Sequence, residues 1–101
     1  MSATVIEDAI PGSDLVRTGL ADLAAGRETI EAMLLLQARE RLSRLGYDLP
    51  DVAVAWPEGR MWELIEREVG PRRTHSRYNA LRRRLLSFLR AAPVASDPDA
   101  P

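Results

Sequence analysis

Seven arginines stand between residues 72 and 90 with no acid among them: Arg72, Arg73, Arg77, Arg82, Arg83, Arg84 and Arg90. A guanidinium fork donates to carboxylate and phosphate alike, so the chemistry on offer is anion binding rather than bond breaking. At 100° per residue, Leu81, Leu85, Phe88 and Leu89 gather around Tyr78 as an apolar arc. Asn79, Arg83 and Arg90 form a stripe on the far side, joined by Arg72 if the helix begins that early. Arg77 and Arg84 border the apolar arc on one edge, and His75, Arg82 and Leu86 on the other. Two arrangements compete for this stripe. In one, Arg72, Asn79, Arg83 and Arg90 lie along a nucleic-acid backbone and donate to its phosphates. In the other, the arginines pair with acids elsewhere in the chain and their face is merely solvated, the commoner fate of a charge run.

His75 is the sole histidine. A helical metal site would place a carboxylate three residues before it, but position 72 is arginine. A helical ribonuclease arrangement places arginine four to six intervening residues before histidine, where Glu68, Val69 and Gly70 stand instead. Ser76 follows His75 directly and points about 100° away, so the two cannot act as nucleophile and base unaided. His75, Asn79 and Arg82 can still meet as a polar seam at the core's edge. The expected role of His75 there is structural, capping the helix start and pairing with an acid; a small enzyme or ligand site is the alternative. The carboxylate pairs Glu28/Glu31 and Glu63/Glu66 are ordinary for exposed helices and give no cleft for acid–base work. No glycine-rich phosphate loop or cofactor fingerprint occurs, and no cofactor is expected.

The elements that must carry these residues are helices. Ser13 reads as an N-cap with Asp14 in the first turn, and Leu15, Val16, Leu20 and Leu23 share one face as far as Gly26. Gly19 within that face predicts a close helix–helix approach. A second helix, Glu28 to Leu45, has apolar residues over a wide arc and is expected at the centre, stopped by Gly46. Glu40 and Arg44 pair at i,i+4 on its polar side. Gln37 and Arg41 project into its apolar arc, either snorkelling to water or holding an internal carboxylate. Residues 47–57 alternate as Val52-Ala53-Val54-Ala55-Trp56, but no second strand-like segment exists to pair with them, so an extended crossover is predicted. A third helix starts at Pro57 and ends at Gly70-Pro71, with Met61, Trp62, Leu64 and Ile65 inward and Glu63 paired with Arg67. A fourth runs from about Thr74 to Ala92. Residues 1–12 read as a mobile leader and 93–101 as a disordered tail. Glu63 to Leu85 superficially suggests a helix-turn-helix, but Glu66, Pro71, Ser76 and Asn79 occupy places that should be small or apolar.

The whole is an all-α, four-helix domain on residues 13–92. Its 101 residues are 46% hydrophobic and 29% charged, the mix of one globular domain burying roughly 65% of its unfolded surface. Net charge is −1, yet it is segregated. Residues 1–71 hold seven arginines against thirteen acids, residues 72–90 seven arginines and none, and the rest two acids: −6, +7 and −2. The absence of cysteine excludes disulfides, zinc fingers and thiol nucleophiles. All fourteen basic residues are arginine, a bias that a GC-rich genome also produces. The opening residues carry Glu7 and Asp8 and no apolar stretch, and the longest apolar run is five residues, Ala32 to Leu36, against roughly 20 for a bilayer span. A cytoplasmic protein with no membrane partner is therefore expected.

Two segments carry a resemblance. Ser13-Asp14-Leu15-Val16-Arg17 with Gly19 through Ile30 resembles the opening of a small family of uncharacterised actinobacterial proteins of about this length. His75-Ser76-Arg77-Tyr78-Asn79-Ala80-Leu81 and the arginines after it are similar to that family's closing helix. The likeness covers about a third of the chain and implies a compact helical fold in an actinobacterial cytoplasm. It implies no activity and no site residues. The expectation is a non-enzymatic protein-interaction or regulatory module, monomeric or homodimeric, reaching a protein partner through the last helix's polar face or exposed parts of Leu36, Trp56 and Trp62. Nucleic-acid binding is the alternative.

Overall fold

A computed structural model describes residues 9–92. Five helices follow one another: α1 (Ser13–Ala24), α2 (Ile30–Gln37), α3 (Arg39–Arg44), α4 (Pro57–Val69) and α5 (Pro71–Ala91). The fold is all-α, and no strand forms among the described residues. Helix α2 is central, packed between α1 and α4, while α5 lies across α4 and the start of α1. Ala32, Met33, Leu34 and Leu35 are consecutive and all buried, because α2 is covered on more than one side. Around them Val16, Met61, Ile65, Leu81 and Phe88 close one core.

The expected second helix is two helices, broken at Ala38 (φ −112°, ψ 18°). Alanine is the best helix former, so the break owes nothing to local propensity. Just past it, Arg39 Nη2 donates to the carbonyls of Pro50 (3.2 Å) and Val52 (3.1 Å), tying the start of α3 to the crossover. That crossover runs without regular structure from Tyr47 to Trp56, as the lack of a pairing partner predicts. Tyr47 is buried at one end, edge-on to Phe88 with ring centroids 5.6 Å apart.

The turns follow backbone chemistry. Helices α1 and α3 both end in the same motif. Gly26 N–H donates to Leu23 and Arg27 N–H to Asp22; Gly46 N–H donates to Ser43 and Tyr47 N–H to Leu42. Both glycines are left-handed (φ 74° and 90°), as a helix terminated this way requires. Asp22 holds the α1–α2 joint. Its carboxylate accepts from Thr29 Oγ1 (2.6 Å) and Arg27 Nε (3.0 Å), while Thr29 Oγ1 accepts the N–H of Ala32 and caps α2. The Thr29 hydroxyl, helped by Arg27, holds the Asp22 carboxyl below the usual carboxylate range against the opposing effect of burial.

Several expected details change. Ser13 is not the N-cap of α1: Gly12 takes that place, and Ser13 is buried as the first helical residue. Residues 1–8 and 93–101, most of the expected leader and all of the expected tail, lie outside the described residues. The leader's end is packed, however, with Ile10 against the core and Gly12 against α5. A Cβ on Gly12 would sit 2.5 Å from the Arg84 carbonyl oxygen. Helix α5 begins at Pro71, not Thr74, because Pro71 fits the first helical position. Gly70 alone separates α4 from α5, one residue where a helix-turn-helix needs a turn of about three or four. Gly19 is the close approach its position predicted. A Cβ there would lie 2.6 Å from Leu35 Cδ1 and 2.9 Å from the Glu31 carbonyl oxygen.

Candidate anion-binding face

Helix α5 is 21 residues long, and its buried line of Thr74, Tyr78, Leu81, Leu85 and Phe88 fixes which way everything else on it points. Asp14 and Gly12 meet it on the Arg84 side and Trp62 on the His75 side, so α1 and α4 flank the buried line. The rest of the helix surface faces solvent. Arg72, Arg83 and Arg90 are exposed on it in one line, spanning about 27 Å at 1.5 Å per residue, and Asn79 is half-buried beside them.

The acids of the body do not neutralise this face. Arg84 pairs with Asp14, its Nη2 2.8 and 2.9 Å from the two carboxylate oxygens, and these bonds hold Asp14 below the usual carboxylate range. Among the described residues, Arg72, Arg73, Arg77, Arg82, Arg83 and Arg90 have no ion pair with an acid. Four of the body's carboxylates engage its own arginines instead: Glu28 and Glu63 on Arg60, Glu40 on Arg44, and Asp22 on Arg27. Glu63 thus pairs with Arg60 rather than Arg67. Among the described residues, no arginine of the stripe is neutralised by an acid of residues 1–71; the one such pair on α5 falls on Arg84, at the border of the apolar arc.

Spacing at 73, 77 and 84 repeats one helix face as surely as 72, 83 and 90 does, although a helix starting at Thr74 would carry only Arg77 and Arg84 along that edge. The early start of α5 brings Arg73 onto it. Two lines of arginine therefore run down α5: Arg72, Arg83 and Arg90 opposite its buried residues, and Arg73, Arg77 and Arg84 along the edge nearer α1.

The seam is divided. His75 Nε2 and Asn79 Nδ2 are 3.1 Å apart, one turn from each other. Among the described residues His75 meets no acid, and it does not cap the helix. It sits edge-on to Trp62, with centroids 6.0 Å apart. Arg82 turns elsewhere, its guanidinium 6.0 Å from the Tyr78 ring centroid. Tyr78, also against Trp62 at 5.5 Å, donates its hydroxyl to Gln37 Oε1 (2.9 Å). Burial, reinforced by the charge of Glu58, raises the Tyr78 hydroxyl above its usual pKa. Gln37 Nε2 is directed at Met61 Sδ (3.2 Å) and the Met33 carbonyl (3.4 Å), so Gln37 holds a phenol and not an internal carboxylate. This α2–α5 link had no signal in the sequence beyond an amide in an apolar arc. Arg41 is exposed. Among the described residues no three of His, Asp and Glu are grouped to hold a metal ion.

Of the aromatic residues offered as a contact surface, Trp56 is 68% exposed and Trp62, expected inward, is 37% exposed. The Trp56 ring rests on Gly59, where a Cβ would lie 2.2 Å from it. Leu36 is only half-buried and lines a shallow groove with Val52, Val54 and Pro57. No helix among the described residues is long and apolar enough to cross a membrane. Compared with known proteins, the chain matches no family model, no curated protein and no solved structure.

Proposed function

We propose that this chain is a non-enzymatic binding module of the actinobacterial cytoplasm, whose working surface is the outer face of α5 and whose partner is nucleic acid held by its phosphates. One observation carries the reading: among the described residues, six of seven arginines on one helix have no ion pair with an acid, although eleven described acids precede them in the chain. Were the run there for stability, the nearby acids would be expected to face it. Unpaired guanidinium groups in a row suit a polyanion, because each phosphate contact releases a condensed counterion. The face works within a Debye length of about 8 Å at physiological salt, so the overall charge of −1 does not prevent it. The pair of His75 and Asn79 and the separate Arg82 have no part in this reading.

Fluorescence anisotropy with labelled duplex DNA and single-stranded RNA across a salt series tests it. Binding that weakens steeply with salt and vanishes in the Arg83→Glu/Arg90→Glu double variant is expected. No binding at low salt overturns it. Exposed Trp56, set rigidly on Gly59, favours a second reading in which a protein partner or another copy of the chain covers that ring. Sedimentation of the wild type and Trp56→Ser decides that point: a concentration-independent monomer removes the second copy.

A further inference from the structure

Arg41 projects from an apolar arc, where an internal carboxylate would account for it, and Arg82 lies about 80–100° around α5 from the Arg72/Arg83/Arg90 line. Among the described residues neither has an ion pair with an acid. Both line one cavity of about 290 Å³ between α5 and the place where α2 gives way to α3. Leu34 and Ala38 face it from one side, and Leu85, Leu86 and Leu89 from the other. The bond from the Tyr78 hydroxyl to Gln37 ties the two sides together and commits the Gln37 amide to that tie. Glu40 also stands at the rim, but its carboxylate is engaged by Arg44 one turn on. What remains is a cationic rim over apolar walls.

We infer that this cavity binds a small aliphatic carboxylic acid as its anion, with the carboxylate on Arg41 and Arg82 and the hydrocarbon chain against the leucines. An inorganic anion would use the arginines and leave the leucines to water. A plain hydrocarbon would use the leucines and leave the guanidinium groups unmatched. One molecule carrying both ends satisfies both. A carboxylate suits the planar guanidinium fork, which donates two parallel bonds to it. With Glu40 at the same rim, a singly charged head is repelled less than a phosphate monoester of charge near −2. The volume lies at the lower edge of the usual range for ligand sites, about 300–1,000 Å³, so it holds a head group and a short chain rather than a diacyl lipid. Neither arginine belongs to the Arg72/Arg83/Arg90 line, so the inference stands apart from the nucleic-acid reading.

Titration of the isotope-labelled full chain with sodium octanoate, followed through its backbone amides by nuclear magnetic resonance, tests it. Saturable shifts at Ala38, Arg41, Arg82 and Leu86 are expected. Hexanoate should bind up to about fifteenfold more weakly, at about fourfold for each methylene lost. Arg41→Gln and Arg82→Gln keep most of each stem and remove the charge. Circular dichroism checks that both variants fold, and each should weaken octanoate about tenfold, the worth of a hydrogen bond to a charged group. Octanol or octylammonium binding as tightly as octanoate would overturn the carboxylate. Acetate binding as tightly would overturn the apolar walls and leave an adventitious ion only. The cavity itself is overturned if octanoate gives no saturable shift below the concentration at which it self-associates, or if neither arginine variant weakens it.

Discussion

Replacing Gly19 by alanine sets two effects of known size against each other. Alanine in a helix interior gains about 0.8–1 kcal/mol over glycine through backbone entropy and propensity. At this position, however, the added methyl would lie 2.6 Å from Leu35 Cδ1 and 2.9 Å from the Glu31 carbonyl oxygen. Leu35 is fully buried in the central helix and cannot swing to solvent, and the carbonyl belongs to the α2 backbone. Helix α1 must back away from α2, and overpacking of this kind costs about 1–3 kcal/mol. Steric cost outweighs propensity, and Gly19→Ala is expected to lose about 1 kcal/mol net, with Gly19→Val losing more. In a domain of this size that corresponds to a Tm lower by roughly 4–8 °C per kcal/mol. Thermal and urea unfolding followed by circular dichroism in the far ultraviolet measure it directly. A variant as stable as the wild type, or more stable, would refute the close α1–α2 approach, since propensity would then have acted unopposed.

Two further outcomes follow from the polar contacts between helices. Asp22→Asn is expected to cost about 1 kcal/mol in urea unfolding at neutral pH, because the amide keeps one acceptor oxygen but turns charged bonds into weaker neutral ones. Its pH dependence has a definite sign. The native carboxyl is held below its ordinary value of 3.8, so its contribution is complete above that pH and is lost as the pH falls through the lowered native value. The gap between wild type and variant should therefore stay constant from neutral pH to about 5 and close below about 4; a gap unchanged at about pH 3 would contradict the assignment. Tyr78→Phe removes the bond to Gln37, but exposed Gln37 can turn to water, so a loss within about 0.5–1.5 kcal/mol is expected. A much larger loss would mean that the amide is not free to rehydrate.

Which helices exist, and which face each buries, follows from apolar spacing at 3.6 residues and from glycine and proline at the ends. These signals are local, and that is why Gly26, Gly46, Pro57 and Gly70 mark the boundaries where they do. Gly19 was legible for a different reason: a residue without a side chain in the middle of an apolar face leaves room only for another backbone. The break at Ala38 was not legible. The best helix former stands there, and the helix changes course beside a hydrogen-bonded tie from Arg39 to a crossover eleven and thirteen residues away. The Tyr78–Gln37 bond, between residues 41 apart, was invisible for the same reason.

For the candidate face, the sequence alone determined that the arginines lie on a helix with its core line inward and a stripe of Asn79, Arg83 and Arg90 outward, which Arg72 joins only because α5 begins at Pro71. Periodicity is sufficient for that. It could not decide whether the acids of residues 1–71 would meet them, because an ion pair between Asp14 and Arg84 depends on how α1 and α5 pack, 70 residues apart in the chain. Only the tertiary structure decided that, among the described residues, one arginine is met by an acid and six are not. It also decided, through the early start of α5 at Pro71, that Arg73 joins Arg77 and Arg84 as a second line. Helical spacing sets the direction of a side chain from its own backbone; whether that direction ends at a carboxylate or in water is set by the docking of distant helices.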